Sequence, residues 1–198
     1  MANWLTPYQH LTLPPLSRGN HASPGDGLCA MEMVAFIERL PHSDRPECTC
    51  PVLAAYVRRL NDLMPVFERQ RLKPLLPRLV GTTSKEHEVA RAEYLAMQAV
   101  NVFAPIALRA MGLDGHASAC ANAVTLAEGR EAAAAAAYAA ADAAAYAAAY
   151  AAARAAARAA ALLWSEALSA LEGAIAIGPS SGWTSDIAPQ VSALAELT

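Results

Sequence analysis

A chain of 198 residues is long enough for one domain with a hydrophobic core or for a small domain with an extension, and we expect one domain plus an extension. Its formal net charge of −3 excludes the broadly basic surface of a generic nucleic-acid binder, so we expect no nucleic-acid partner. Alanine supplies much of the 55% hydrophobic content, and the larger apolar residues concentrate before residue 112.

The first 27 residues predict an irregular, proline-rich lead-in. They lack a basic opening followed by an apolar run, so we expect no secretory signal and a cytoplasmic location. In a reducing compartment the four cysteines are expected to be free thiols or metal ligands and not a disulfide framework. Polar residues interrupt the most apolar segment at Gln98, Asn101 and Arg109, so we expect no membrane partner.

Two helices are predicted after this lead-in. Apolar residues recur every three or four positions from Leu28 to Leu40, which is the spacing of one helical face, and Pro41 ends the run. The same spacing returns from Cys50 to Leu60, with Pro51 placed as a first-turn proline. We therefore expect one helix on each side of a loop.

The rest of the head domain also predicts helices. Residues 64–83 contain prolines that break them into one or two short helical pieces. Thr83 and Glu86 have the spacing of a capping box, which would open a long helix to about residue 111 with a kink at Pro105. One more helix is expected before Gly129. Because no run alternates in the manner of a strand, we predict an all-α, compact helical head over residues 28–128.

Alanine fills all but seven of the positions from 131 to 161. From Tyr138 onward the exceptions recur at every fourth position: Tyr138, Asp142, Tyr146, Tyr150, Arg154 and Arg158. Alanine is the best helix former, and the run exceeds the roughly 12 to 15 residues at which isolated helices become stable. We predict one very long alanine-rich helix over residues 130–178, in which 131–177 alone would extend about 70 Å.

The four-residue repeat also predicts how this helix packs. Each repeat advances the helix by about 400°, so successive exceptions lie about 40° further round and leave a broad surface of alanine methyl groups. Such a surface lets another helix approach closely. The residues expected to shape the packing are Tyr138, Tyr146, Tyr150, Arg154, Arg158, Trp164, Leu168 and Leu171, of which the last three form an apolar stripe. Residues 179–198 predict a linker and a short helix capped by Ser185.

The loop region between the first two helices concentrates residues that can do chemistry. A zinc or cluster site would draw on Cys29, His42, Asp44 and Cys48, although the spacing of these residues differs from the common zinc patterns. As a catalytic nucleophile, Cys29 would use His42 as its general base, with Asp44 orienting the histidine. The alternative is structural: Cys29 and Cys50 extend the apolar stripes of their helices, where a thiol acts as a small buried hydrophobe.

Two other polar motifs are expected to be solvated surface. The stretch from His87 to Arg91 begins like the H-E-x-x-H zinc motif but has arginine where the second histidine belongs. A basic stretch carries Arg69, Arg71, Lys73 and Arg78, and the acidic total favours an exposed face over a phosphate site.

The segment GLCAMEMVAFIERLPHSDRPECTCPVLAAYVRRLND, followed by ERQRLKPLLPRLVGT, resembles the opening of an uncharacterised family of bacterial and phage-associated proteins. In that family a similar head precedes a variable alanine-rich four-residue repeat. The resemblance implies this organisation and no established activity. The matching positions are Gly27, Cys29, Ser43, Asp44, Pro46, Cys48, Pro51, Asn61 and Asp62.

Taken from the sequence, the leading hypothesis is a non-enzymatic interaction or assembly protein. Its long helix would pack against a second copy, against a protein partner, or against its own head. A metal- or cluster-binding regulatory module that uses Cys29 and Cys48 is the second hypothesis, so a metal ion is the one cofactor considered. A small cysteine-dependent hydrolase is the third.

Overall fold

The computed structural model describes residues 13–146, 149–182 and 188–196, and within these ranges the side chains of 137–158 and 195 lie outside the described part. The α-helices are α1 (Ala30–Ile37), α2 (Pro51–Leu63), α3 (Val66–Arg69), α4 (Leu76–Leu79), α5 (Lys85–Gln98), α6 (Ala104–Ala110), α7 (Asp114–Ala121), α8 (Leu126–Tyr146), α9 (Ala149–Ile175) and α10 (Ala188–Ala195). These ranges contain no β-strand, which confirms the all-α prediction.

The chain forms two compact units, Met1–Arg91 with Leu171–Thr198, and Ala92–Ala170. This division differs from the predicted head over 28–128 followed by a helix over 130–178. The reason is that the chain returns to the first unit after its alanine-rich part. Ser180 donates its hydroxyl to the carbonyl of Arg78, at 2.6 Å, and the backbone N–H of Ser181 donates to the carbonyl of Val80, at 3.0 Å.

Helix α1 is the core of the first unit. All of its residues except Phe36 are buried, and it packs against α2, α4 and α10. Helix α2 begins at Pro51, as predicted, because proline suits a first turn that has no intrahelical hydrogen bond to lose. The proline-containing segment after α2 forms two single-turn α-helices joined by a 3₁₀ helix, Gln70–Leu75, which contains Pro74.

The second unit is built around α6, α7 and α8. Their buried contact residues are Leu108, Ala117, Cys120 and Ala136. Asn101 ties the turn after α7 to this core, because its side-chain amide donates to the carbonyls of Ala121 and Ala123, at 3.1 and 2.7 Å. The predicted long helix with a kink at Pro105 is instead divided into α5, a π-helical turn at Ala99–Phe103, and α6, whose first turn contains Pro105.

The single very long helix is not shown by the structure. Two helices of 21 and 27 residues, α8 and α9, hold the alanine-rich repeat. Whether they join depends on Ala147 and Ala148, which lie outside the described residues. No helix in the part of the chain that the structure describes is long and apolar enough to cross a membrane.

The predicted helix boundary at Gly129 is wrong, because α8 begins three residues earlier and runs through this glycine. Thr125 and Glu128 start the helix with a capping box: the Glu128 carboxylate accepts from the backbone N–H of Thr125, and the Thr125 hydroxyl accepts from that of Glu128. Gly129 is buried, and a Cβ there would lie 3.1 Å from a methyl group of Val100. The glycine therefore permits a close approach instead of ending a helix.

The predicted capping box of Thr83 with Glu86 is wrong. The hydroxyl of Thr83 donates to the carbonyl of Glu47, at 2.6 Å, and α5 begins at Lys85. The neighbouring Ser84 hydroxyl instead lies 2.8 Å from Nδ1 of His87. Thr83 thus joins two loops of the first unit and does not cap the helix.

The basic residues expected on a solvated face are used inside the first unit. Arg69 is buried, and its guanidinium donates to the carbonyls of Asn61 and Met64, at 2.6 and 3.0 Å. Arg91 is fully buried and donates to the carbonyls of Thr82 and Pro179. The expectation of exposure fails for both because each supplies donors to backbone carbonyls that would otherwise be unsatisfied.

Candidate functional site

Cys29 lies at the start of α1 and caps it. Its thiol accepts from the backbone N–H of Glu32, at 3.4 Å, while the Glu32 carboxylate accepts from the backbone N–H of Cys29, at 2.8 Å. This is a capping box with a thiol in the place usually taken by a hydroxyl. Burial raises the pKa of the Cys29 thiol to about 12, against the lowering effect of the hydrogen bond from Glu32. The thiol is therefore held in its protonated form.

Two histidines surround the same carboxylate. Nδ1 of His21 lies 2.7 Å from one Glu32 oxygen, and the backbone N–H of His21 donates to the other, also at 2.7 Å. His42 lies 3.8 Å from Glu32, and its Nε2 is 2.8 Å from the carbonyl of His21. Burial acts to raise the pKa of Glu32, but the hydrogen bonds from Cys29 and His21 outweigh it, so this pKa lies below its usual value.

Gly27 closes the loop that brings His21 to α1. Its φ of 116° is in the region that favours glycine, and a Cβ there would lie 2.9 Å from the hydroxyl of Ser17 and 3.1 Å from Nε2 of His21. The backbone N–H of Ser17 also donates to the carbonyl of Leu28, at 2.8 Å. This glycine therefore permits the close packing of residues 17–28 over the start of α1.

The other predicted ligands lie in separate surroundings. Cys48 is half-buried, burial raises the pKa of its thiol, and its Sγ is 3.8 Å from the hydroxyl of Thr49. The Asp44 carboxylate lies 3.5 Å from Nε of Arg58 and 3.8 Å from that of Arg45. His42 binds the His21 carbonyl, as described above. All four cysteines of the chain are free thiols.

The metal hypothesis requires Cys29, His42, Asp44 and Cys48 to lie close together. Among the residues that the structure describes, no group of three or more His, Cys, Asp or Glu side chains is arranged to hold a metal ion. All four predicted ligands instead have the hydrogen bonds or ion pairs given above. Cys50 is fully buried, and its backbone N–H donates to the hydroxyl of Thr82, at 3.0 Å.

A polar pocket of about 150 Å³ lies between the lead-in loop and α2. It is lined by Gly19, Asn20, Cys29, Asp44, Arg58, Asn61 and Asp62. Four of the nine motif positions named from the sequence, Cys29, Asp44, Asn61 and Asp62, meet here. We call it the α2 pocket, and we take it as the candidate site in the first unit because these motif positions meet there.

Asn61 is a buried, hydrogen-bonded residue in the lining of the α2 pocket. It is fully buried, its amide oxygen accepts from the backbone N–H of Ala30, at 3.2 Å, and its amide nitrogen donates to the carbonyl of Ser17, at 2.8 Å. Asp62 holds the opposite loop, because its Oδ1 accepts from the backbone N–H of Gly19, at 2.9 Å. One turn of α2 therefore connects α1 to the lead-in loop and places both side chains at the pocket.

Sequence reasoning missed Glu32, His21 and Arg58. The spacing of Cys29 and Glu32 is that of a capping box and could have identified the carboxylate. Arg58 and Asp62 are four residues apart on one helix, which places them on the same face. Nothing in the local sequence points to His21, which reaches Glu32 through the fold of the lead-in loop.

The predicted helix-packing residues fall in α8 and α9. The backbones of Tyr138, Tyr146, Tyr150, Arg154 and Arg158 are helical, and their side chains lie outside the described part. Trp164 is half-buried, while Leu168 and Leu171 are buried. The chain matches no family model, no curated protein and no solved structure.

Proposed function

We propose that the protein is a non-enzymatic interaction and assembly protein in which the alanine-rich helices pack along a helix of a second copy or of a protein partner. The observation that carries this proposal is that α8 and α9 hold the four-residue repeat in helical form over residues 126–146 and 149–175. The function therefore rests on the second half of the chain, with the first unit as the folded part to which it is attached.

The chemistry of alanine supports helix pairing by close approach. A methyl side chain keeps two helix backbones nearer to each other than larger side chains allow, so dispersion contacts accumulate along the whole length. Each methyl group buries little surface, at about 25 cal/mol per Å². Only a long and regular register would therefore produce a stable complex, and the four-residue repeat supplies regularity over the 21 positions from 138 to 158.

The proposal includes the finer expectation that α8 and α9 form one continuous rod through Ala147 and Ala148. In a continuous helix the non-alanine residues wind by about 40° per repeat, and a partner with the same repeat can follow that winding. The tyrosines and arginines then border the methyl surface and set the register. The partner that matches this winding without further assumptions is a second copy of the chain.

The thiol chemistry of the first unit favours assembly over a cysteine-dependent enzyme. Cys29 was the nucleophile candidate, and its raised pKa together with its capping role supports a structural reading. A metal-binding module stays the alternative. Elemental analysis of untagged protein tests it directly, and one bound metal ion per chain would support that alternative.

Sedimentation velocity and light scattering on two deletions test the assembly proposal. Deleting Ala143–Tyr146 removes one whole repeat and keeps the winding, so we expect association to persist. Deleting Ala144 and Ala145 rotates everything downstream by about 200°, so association should weaken strongly although helix content is almost unchanged. Circular dichroism on both variants provides the control. A wild-type chain that is monomeric throughout would reject self-association, and equal behaviour of the two deletions would reject the register argument.

A further inference from the structure

Arg58 and Asp62 line the α2 pocket without pairing with each other. They are separated by one turn of α2, the spacing at which arginine and aspartate side chains commonly interact on a helix surface. In the described residues, however, the ion pair of Arg58 is with Asp44, at 3.5 Å. Arg58 and Asp62 therefore bring opposite charges to the same cavity, but Arg58 interacts with the loop at Asp44 and Asp62 interacts with the lead-in loop.

The carboxylate of Asp62 is only partly used. Its Oδ1 accepts from the backbone N–H of Gly19, at 2.9 Å, and from the amide of Asn61, at 3.4 Å. Both donors are neutral, so they leave the negative charge uncompensated. Oδ2 has no hydrogen-bond partner within the described part of the chain. Oδ2 of Asp62 is thus available as a negatively charged hydrogen-bond acceptor on this side of the pocket.

The guanidinium of Arg58 is also partly used. Nη1 donates to the carbonyl of Asp44, at 3.0 Å, and Nε faces the Asp44 carboxylate. Among the residues that the structure describes, Nη2 has no partner. Because a guanidinium presents its donors in a fixed planar fork, the remaining donors have a defined direction once the other edge is held.

The walls between these two groups are rigid and polar. Asn61 is fully buried and uses both ends of its amide on backbone groups of α1 and the lead-in loop. Cys29 is 2% exposed and contributes a protonated thiol. Side chains held in this way lose little freedom when a ligand enters, which reduces the free-energy cost of binding.

The size of the pocket restricts the ligand further. Its volume of about 150 Å³ is below the range of roughly 300 to 1,000 Å³ that is common for drug-sized ligands. It corresponds to roughly five water molecules at about 30 Å³ each. The ligand is therefore a molecule of a few heavy atoms.

We propose that the α2 pocket binds a small zwitterion of the free amino acid type, with its ammonium group at Asp62 and its carboxylate at Arg58. A simple cation would use only the free oxygen of Asp62, and a simple anion only the free donors of Arg58. Asp44 also lines the pocket and pairs with Arg58, so the carboxylate of the zwitterion uses the edge of the guanidinium that Asp44 leaves open, while its ammonium compensates Asp62. This inference is independent of the alanine-rich helices, since every residue in it belongs to the first unit.

Isothermal titration calorimetry on the full chain tests the proposal without any substitution. The probes are glycine, alanine, β-alanine and γ-aminobutyrate, with ethylammonium and acetate as single-charge comparisons. We expect saturable binding of at least one zwitterion and at least tenfold weaker binding of each single-charge probe. No saturable binding of any zwitterion in the millimolar range, or an equally strong affinity for ethylammonium, would overturn it.

Two substitutions then test which charged group of the ligand each residue binds. Asp62→Asn keeps the size of the side chain and should weaken zwitterion binding at least tenfold, as should Arg58→Met. Arg59→Met is the matched control, because Arg59 is the exposed neighbour on the same helix, and Glu86→Gln removes a carboxylate outside the pocket. Thermal unfolding confirms that each variant is folded. Unchanged affinity in a folded Asp62→Asn variant would contradict the assignment.

Discussion

The carboxylate of Glu32 and the thiol of Cys29 each accept a hydrogen bond from the other residue's backbone N–H, at 2.8 and 3.4 Å. Because four backbone N–H groups at a helix start lack intrahelical partners, this exchange satisfies two polar groups inside the first unit. The buried thiol of Cys29 and the carboxylate of Glu32 therefore have a structural role. The same carboxylate then anchors the lead-in loop through His21, at 2.7 Å.

The first prediction concerns the reactivity of Cys29. A thiol whose pKa is raised to about 12 is almost wholly protonated at neutral pH. Relative to a free cysteine of pKa about 8.5, its thiolate fraction falls roughly a thousandfold. We therefore expect alkylation of Cys29 by iodoacetamide in the folded protein to be at least a hundredfold slower than that of glutathione, as measured by peptide mass mapping.

Cys48 provides the internal comparison for this measurement, because it is half-buried while Cys29 is almost fully covered. It should react faster than Cys29, and all four thiols should react alike after unfolding in denaturant. Rapid modification of Cys29 in the native protein would contradict the structural reading of its thiol and revive the hydrolase hypothesis.

The second prediction concerns the pH dependence of stability through Glu32. Its pKa in the folded state is lowered, so the charged carboxylate stabilises the fold at pH values above the unfolded pKa of about 4.3, and this contribution is lost as the pH falls through the folded pKa. Glu32→Gln should reduce the free energy of unfolding by about 2 kcal/mol at neutral pH. The difference from wild type should shrink as the pH falls below the unfolded pKa of the carboxyl group.

Denaturant unfolding at a series of pH values measures this difference. Glu86→Gln is the matched control, since Glu86 is exposed and lies in the first turn of α5. That variant should remain near wild type throughout. A difference between Glu32→Gln and wild type that grows on acidification would show that the sign of the pKa shift is opposite.

The helices were largely predictable from local patterns, and the exact caps were not. The same three-residue spacing occurs at Thr83 with Glu86 and at Thr125 with Glu128, but only the second pair forms a capping box. The hydroxyl of Thr83 instead bonds to a loop 36 residues away in sequence. A local pattern identifies groups that are able to cap a helix, and tertiary partners decide whether they do.

Local patterns also could not identify the residues of the α2 pocket as a group. Its residues come from the lead-in loop, from the start of α1, from the loop before α2 and from α2 itself. The sequence named Cys29 and Asp44 through their chemistry, whereas the spacing of Arg58 and Asp62 places them on one helix face but not at a pocket. The burial of Arg69 and Arg91, which were expected on solvated surfaces, also could not be predicted, because the carbonyls that they satisfy become neighbours only when the chain folds.

The third prediction concerns the cap of α8. Thr125→Ala removes the hydroxyl that accepts from the backbone N–H of Glu128, at 3.2 Å. We expect a loss of about 1 kcal/mol in the free energy of unfolding, which is typical of N-cap substitutions. Denaturant unfolding followed by circular dichroism measures this loss. Thr125→Ser keeps the hydroxyl and should remain near wild type, whereas Thr83→Ala should leave the helix content of α8 unchanged because Thr83 caps no helix.

The fourth prediction separates Arg69 from its neighbour Arg71. Arg69→Met leaves the carbonyls of Asn61 and Met64 without their donors, so the free energy of unfolding should fall by about 2 to 4 kcal/mol. Arg71 forms an exposed ion pair with Glu68, so Arg71→Met should cost less than about 1 kcal/mol. Thermal and denaturant unfolding measure both variants. Equal losses in the two would mean that Arg69 is not buried.

The fifth prediction tests why a glycine lies inside α8. Replacing glycine by alanine within a helix normally stabilises by about 1 kcal/mol, but at Gly129 the new Cβ would lie 3.1 Å from Cγ1 of Val100. We therefore expect Gly129→Ala to destabilise the wild-type protein and to stabilise a Val100→Ala background, where the obstructing methyl groups are absent. The four free energies of unfolding form a double-mutant cycle whose coupling energy should be about 1 to 2 kcal/mol. A coupling near zero would place Val100 away from Gly129, and the close approach of α8 in the second unit would then be wrong.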